Sequence, residues 1–240
     1  MTEAARRDRK RADTDHQIRT VARALLVDNG AQSVTLRGIA REIGITAPAL
    51  YRYYDSFEDL IQHVCADICA DLADELAAGL AVIPEEDTPG RVFAVCRGFR
   101  AWAIRHPREF SLVFATPAGP AATGATDPFG RIFLTVAGRV LATRTLVVPG
   151  DLDVPERLIA DLTLFRATLL DNLAETGVAV PEHVFSLGTA YTMLRFWVRL
   201  YGQVALEVFG RFPFPVVDAE PLFESMVAEL ALEVGLTPPG

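Results

Sequence analysis

The chain has 240 residues, 50% of them hydrophobic, and a net charge of -8 at pH 7. Its mean hydropathy of +0.24 implies a large core, or a core together with a permanent interface. Three cysteines are too few for a disulfide scaffold, and the most apolar long stretch, residues 190–209, contains charges that exclude a membrane span. No apolar run follows the basic N-terminus, so no secretory signal is predicted and we expect a cytoplasmic protein.

Residues 1–13 are basic and polar without apolar periodicity, and we expect them to form a disordered arm. Residues 1–56 contain ten basic and seven acidic side chains, a surplus of three positive charges; because the total is -8, the remaining residues carry -11. A positive end on an acidic body favours a separate N-terminal DNA-binding domain. The arm either adds contacts to phosphates or the minor groove or does nothing specific, and the sequence leaves both alternatives open.

Two short helical patterns joined at a glycine follow at residues 35–54. Hydrophobic residues recur at helical spacing in the first pattern and give it one apolar face, formed by Ile39, Ala40 and Ile43. Gly44 then offers the positive φ that a tight turn between helices requires. The pattern predicts a helix-turn-helix and therefore a DNA-binding protein.

The second helix of this motif begins after Thr46, whose hydroxyl is suited to capping free backbone N–H groups. Leu50 and Tyr54 share one face by their i, i+4 spacing, so they pack inward and leave the other side of the helix exposed. That side offers a guanidinium and phenols, as a recognition helix in a major groove requires. It consists of Ala47, Tyr51, Arg52 and Tyr53.

Residues 18–60 resemble the DNA-binding domain of the tetracycline-repressor (TetR) family of bacterial transcription regulators. The resemblance is carried by Thr35, Ile39-Ala40, Gly44-Ile45-Thr46, Leu50-Tyr51, Tyr54, Ser56 and Leu60, all in register. It implies a three-helix DNA-binding domain at residues 14–60 that binds double-stranded DNA. Carried over from the family, the DNA contacts fall on Thr35, Arg37, Thr46, Ala47, Pro48, Tyr51, Arg52 and Tyr53. The family usually has lysine where this chain has Phe57, so one phosphate contact is missing, and either the affinity is lower or another basic residue substitutes. Because Ala47 and Pro48 offer only apolar contacts, base specificity would depend heavily on Arg37 and Arg52.

The rest of the chain has helical patterns separated by proline and glycine, without competing strand alternation, so the predicted fold is all-α. The patterns cover about residues 56–80, 88–105, 107–115, 127–146, 154–176, 181–211 and 218–234, and residues 116–126 are expected to form a loop. In the resembled family, the last two helices of each chain pair into a four-helix dimer bundle. The resemblance therefore implies a homodimer that reads a palindromic operator, although both helices could instead pack within the monomer.

The family also implies a ligand pocket in the helical domain at residues 61–240, and hence a regulator, most simply a repressor, that a small-molecule effector releases from DNA. Residues 197–202 resemble the Trp-x-x-x-His-Gly signature of one subgroup, with Tyr201 in place of histidine. Aromatic side chains favour a lipophilic effector. The candidate ligand residues are Phe99, Trp102, Phe110, Phe114, Phe133, Phe165, Arg166, Trp197 and Tyr201.

Two alternatives remain. A redox-switched regulator would use Cys65, Cys69 or Cys96. An enzyme with a superficially similar N-terminus has no positive support, because the sequence lacks a glycine-rich phosphate loop, a nucleophile elbow and a metal-ligand set. His63 lies two residues from Cys65 on a different helix face, so no metal and no cofactor is predicted.

Overall fold

A computed structural model describes residues 3–30, 34–115, 133, 136–138, 140, 147–175 and 185–237. All regular structure within these residues is helical, which confirms the all-α prediction. The helices are α1 (Glu3–Asn29), α2 (Leu36–Ile43), α3 (Ala47–Leu50), α4 (Phe57–Ala81), α5 (Thr88–Arg105), α6 (Pro107–Phe114), α7 (Ile159–Glu175), α8 (Leu187–Val208) and α9 (Glu220–Glu233), with 3-10 turns at Asp151–Asp153 and Glu156–Leu158. The predicted loop at residues 116–126 lies outside the described residues, as does most of the helix predicted at residues 127–146.

The chain divides into two compact units. The first contains residues 1–70 and 108–117, and the second contains residues 71–107 and 118–240. Helix α4 therefore contributes to both units, and α6 belongs to the first. The sequence predicted a single domain boundary after residue 60. The helical pattern of α4 is continuous, so it does not show where along the helix the packing partners change from one unit to the other.

Helix α1 includes the described part of the predicted disordered arm. Residues 3–13 form its first turns, because alanine, arginine and lysine are strong helix formers and the following residues anchor the helix. Ile18, Ala22 and Leu26 are buried at helical spacing in the C-terminal half of α1. The basic segment thus extends a helix that is already fixed to the core.

The core of the first unit joins α1 to the helix-turn-helix and to the start of α4. Helices α1 and α2 pack against each other, and so do α2 and α3. Burying these apolar side chains stabilises the short helices, which are too short to be stable alone in water. The buried residues include Ile18, Ala22, Leu26, Leu36, Ile39, Ala40, Leu50, Tyr54, Leu60, Val64 and Ile68.

The second unit is built around α8, which packs against α5, α7 and α9. Two bidentate ion pairs add to the apolar packing of α5: Arg97 binds Glu224 of α9 with N–O distances of 2.8 and 2.7 Å, and Arg100 binds Glu207 of α8 at the same distances. Ser186 caps α8 by accepting a hydrogen bond from the N–H of Thr189 at 3.1 Å. None of the described helices combines the length and hydropathy needed to cross a membrane.

Candidate functional site

The turn between α2 and α3 depends on a left-handed glycine. Gly44 has φ 79° and ends α2, and the N–H of Ile45 donates to the carbonyl oxygen of Ala40 at 2.9 Å. A side chain at position 44 would be strained in this conformation. At the other end of α2, the hydroxyl of Thr35 accepts a hydrogen bond from the N–H of Gly38 at 3.1 Å. These two caps fix the length and exit direction of α2.

Helix α3 is anchored through Leu50 and Tyr54, both buried as predicted. The Tyr54 hydroxyl donates to a carboxylate oxygen of Asp15 at 2.6 Å. Burial raises the pKa of Tyr54, and the Asp15 hydrogen bond adds to that effect. Arg19 binds Asp15 and also binds Asp67 of α4 at 2.6 Å. This network ties the segment after α3 to both α1 and α4.

Most of the predicted DNA-contact residues are exposed. The exposed ones are Thr35, Arg37, Thr46, Pro48, Tyr51 and Arg52, and the partly buried ones are Ala47 and Tyr53. Tyr51 is 55% exposed. Among the described residues, no ion pair involves Arg37 or Arg52, whereas Arg19 and Arg23 both bind carboxylates. The guanidinium groups of Arg37 and Arg52 are therefore available to a partner outside the chain.

Thr46 occupies the N-cap position of α3, but its hydroxyl makes no capping hydrogen bond, contrary to the prediction. An N-cap oxygen normally accepts from the second or third residue of the helix. Here Pro48 has no N–H, and the N–H of Ala49 donates to the Thr46 carbonyl oxygen at 2.9 Å. The hydroxyl therefore has no helical donor to accept from.

The basic segment of α1 contacts the helix-turn-helix through Arg11. The guanidinium carbon of Arg11 is 5.9 Å from the centre of the Tyr53 ring, within the range of a cation–π contact. The basic side chains of this segment are exposed: Arg6, Arg7, Arg9, Lys10 and Arg11. No local pattern predicts this pairing, because residues 11 and 53 are brought together only by the packing of α1.

The second unit contains an apolar cavity of about 140 Å³. No charged side chain is among its described lining residues: Val92, Val95, Cys96, Phe133, Val136, Ala137, Val140, Val148, Thr189, Thr192, Met193, Phe196, Val234 and Leu236. The two threonine hydroxyls already have partners, since Thr192 donates to the Gly188 carbonyl oxygen at 2.9 Å and Thr189 lies 3.2 Å from the Ser186 hydroxyl. Burial raises the pKa of the Cys96 thiol to about 12, so this group is neutral at pH 7.

Four of the nine predicted ligand residues come together near this cavity. Phe133 lines it, and its ring centre lies 6.0 Å from that of Phe99 and 5.8 Å from that of Trp197. Tyr201 stacks on Trp197 at 5.8 Å. The wall itself is mainly aliphatic, and Phe133 is the one predicted ligand residue among its described lining residues.

The other five predicted ligand residues lie elsewhere. Trp102 packs on His106 with ring centres 5.4 Å apart, and the Nε of Arg166 donates to the Phe185 carbonyl oxygen. Phe165 packs against the buried cluster that contains Phe185. The remaining two, Phe110 and Phe114, belong to the first unit, with ring centres 4.9 Å apart.

The three cysteines are thiols rather than half-cystines, and Cys65 and Cys96 are poorly activated. Burial raises the pKa of Cys65 to about 11, and Cys69 and Cys96 are both buried. Because the thiolate is the reactive form, the raised pKa values of Cys65 and Cys96 disfavour the redox alternative. Within the described part of the chain, no cluster of histidine, cysteine and carboxylate side chains has the arrangement of a metal site.

Two family descriptions match the sequence. Residues 18–64 match "Bacterial regulatory proteins, tetR family", and residues 92–230 match "Tetracyclin repressor-like, C-terminal domain". The second match alone covers more than half of the chain. Neither description identifies the subgroup with the Trp-x-x-x-His-Gly signature, so that finer resemblance stays a prediction.

Relatives and solved structures agree with this match. The HTH-type transcriptional regulators Rv1816 of Mycobacterium tuberculosis and Mb1846 of Mycobacterium bovis are each 28% identical over 214 residues, which is 85% of this chain and 86% of theirs. The crystal structure of SCO4313, which is described as a regulatory protein, aligns with a TM-score of 0.62 and 27% identity over 93% of this chain and 97% of that chain. A TetR/AcrR-family regulator from Thermobifida fusca shares the fold, with a TM-score of 0.52 and 18% identity over 91% of this chain and 96% of its own.

The matches and the helix-turn-helix geometry lead to one conclusion. The exposed residues surround a glycine-dependent turn of a helix-turn-helix, and the relatives are transcription regulators. The protein is therefore a DNA-binding regulator rather than an enzyme, and it belongs to the TetR family of bacterial regulatory proteins.

Proposed function

We propose that the protein is a homodimeric repressor that occupies a palindromic operator and releases it when a lipophilic small molecule binds. Residues 14–60 read the operator, and residues 61–240 hold the effector and pair the two copies. The helix-turn-helix surface is the observation that carries the proposal. It exposes two arginines that have no carboxylate partner among the described residues, beside a turn that favours glycine.

The DNA contacts follow from the chemistry of the exposed side chains. Arg37 and Arg52 offer bidentate donors suited to guanine edges or to phosphates. Hydroxyl and phenol groups donate to phosphate oxygens, and the small apolar side chains contact thymine methyl groups. These remaining contact residues are Thr35, Thr46, Ala47, Pro48, Tyr51 and Tyr53.

Dimerisation is supported by apolar side chains that α8 and α9 leave exposed. Their inward residues are buried, as Leu200 and Phe223 illustrate, so packing inside the unit already uses one face of each helix. Exposed apolar groups on the other side favour an interface. The exposed apolar side chains of the two helices include Val198, Leu206, Leu222 and Leu232. A two-fold dimer would present two recognition helices to successive major grooves.

Release follows if effector binding changes the separation of the two recognition helices, so that they no longer fit the two half-sites together. Selection of bound sequences from a random DNA pool tests the first part of this proposal. We expect an inverted repeat with half-site centres about 10 base pairs, or a multiple of one helical turn, apart. A protein that is monomeric at the concentrations where it binds the selected DNA would overturn the homodimer.

A further inference from the structure

The apolar cavity of the second unit restricts the chemistry of its occupant. We propose that the effector is an uncharged molecule with little hydrogen-bonding capacity, about the size of toluene, bound in this cavity. The inference rests on the proposed function, because it takes the cavity to be the effector site. It goes further by giving the size and polarity of the ligand.

The size follows from the volume. The cavity measures about 140 Å³. An engineered apolar cavity of about 150 Å³ in another protein stays dry and binds benzene or xenon. A ligand with roughly six to eight non-hydrogen atoms, the size of benzene or toluene, therefore fits.

The polarity follows from the described wall. It contains aliphatic, aromatic and methionine side chains, and both threonine hydroxyls have hydrogen-bond partners. The thiol of Cys96 is neutral and is only a weak hydrogen-bonding group. A carboxylate or ammonium group would lose its hydration without gaining a counter-charge, and a hydroxyl would exchange its hydrogen bonds to water for at most one to a threonine oxygen. Water itself is poorly suited to the cavity because it requires two to four polar partners.

The cavity is also placed where an occupant would affect the helices proposed for the dimer interface. Val95 on α5 and Met193 on α8 form part of the wall, and Val234 contributes from the end of α9. Filling the cavity would fix the spacing of these three helices. Phe133 lies between the cavity and Trp197, so tryptophan fluorescence offers a direct report of binding.

The test uses the full chain and three probes of similar size. Toluene should bind saturably with one molecule per chain, raise the melting temperature and alter tryptophan fluorescence. Phenol should bind more weakly than toluene, because its hydroxyl exchanges hydrogen bonds to water for at most one to a threonine oxygen, and benzoate should not bind. Tighter binding of phenol or benzoate than of toluene would overturn the proposal, as would the absence of saturable toluene binding.

Variants locate the site. Val95→Phe fills the cavity and should lower toluene affinity at least about tenfold, whereas Val82→Phe makes the same change at an 83% exposed position and should leave it unchanged. Met193→Ala enlarges the cavity and should shift the preference from toluene toward butylbenzene. An unchanged preference in Met193→Ala would place the binding site elsewhere. DNA release is measured separately: toluene binding without release of the operator would support the cavity chemistry and contradict the proposed effector role.

Discussion

The two threonines at the helix-turn-helix differ in what their hydroxyls are able to do. The oxygen of Thr35 accepts the hydrogen bond from the N–H of Gly38, but its proton remains available for donation. Thr46 makes no such capping bond, because Pro48 removes one helical N–H and the main chain uses the next one. Both hydroxyls are therefore suited to phosphate oxygens, and Thr46 would break no capping bond on binding DNA.

The exposed guanidinium groups of Arg37 and Arg52 are expected to contribute directly to operator affinity. Replacing either residue by alanine should weaken operator binding by about 1 to 3 kcal/mol, because each side chain is exposed and has no ion-pair partner among the described residues. Fluorescence anisotropy with the selected operator and with single-base variants measures the effect. If an arginine reads a base, its removal should also relax the preference at one operator position. Uniform weakening on all sequences would instead assign it to a phosphate.

Arg157→Ala provides the matched control for these substitutions. Arg157 is an exposed arginine in the second unit, so its removal changes the net charge by the same amount. We expect operator affinity to stay within a few tenths of a kcal/mol of the unmodified protein. Equal weakening in all three variants would show that long-range electrostatics, rather than local contacts, produces the effect.

Helix α1 is the element that departs most from the sequence-based expectation. The basic N-terminal segment lacks apolar periodicity, and this suggested disorder, but the segment continues a helix whose later turns are buried. Nucleation of a helix is its unfavourable step, so a segment of good helix formers attached to an existing helix needs no apolar face of its own. The contact of Arg11 with Tyr53 then holds positive charge beside the recognition segment.

This arrangement predicts a phosphate-binding role for the N-terminal part of α1. Replacing Arg6, Arg9 and Arg11 together by alanine should reduce the slope of log affinity against log salt concentration by about 0.9 for each phosphate that the variant no longer neutralises. The preference for operator over scrambled DNA should stay the same, because phosphates carry no base identity. Replacing Arg157 and Arg211 by alanine removes two charges from the second unit and is the matched control for the double replacement of Arg9 and Arg11. A salt slope that does not change in the α1 variant would show that the segment does not touch DNA.

Local patterns predicted the helix-turn-helix, whereas the cavity required the tertiary structure. The turn at Gly44 and the inward positions Leu50 and Tyr54 depend on residues close in sequence, and the structure has them as predicted. The cavity wall joins residues as distant as Val92 and Leu236, and it is mainly aliphatic. No spacing rule connects such positions. The prediction relied on aromatic residues of the same region and therefore included Phe99, Trp197 and Tyr201, which form a cluster next to Phe133.

The whole molecule presents a contrast between charged and apolar surfaces on α8 and α9. Ion pairs join these helices within one chain, since Arg199 binds Glu233 and lies 3.3 Å from Glu229. Leu232 is 62% exposed and Val198 is 58% exposed. Leaving such side chains in water is unfavourable by roughly 25 cal/mol for each Å² of apolar surface. A second copy of the chain is the partner that the proposed palindromic operator would require.

A charge introduced on this surface should therefore separate the two copies. Leu232→Glu and Val198→Asp should each weaken dimerisation by about 2 to 5 kcal/mol, because a carboxylate would be buried without a partner in a symmetric interface. Sedimentation velocity at micromolar concentration measures the shift to monomer. The helix content of each variant should be retained, because the substituted side chains are exposed within a single chain.

Operator binding connects dimerisation to function. Because two half-sites act together only when one dimer spans them, the dissociated variants should bind the full operator far more weakly while binding a single half-site as the unmodified protein does. Val82→Asp, at an 83% exposed position, is the control that should stay dimeric. Variants that remain dimeric after Leu232→Glu and Val198→Asp would place the interface on another surface, and a monomer with full operator affinity would contradict two-fold reading itself.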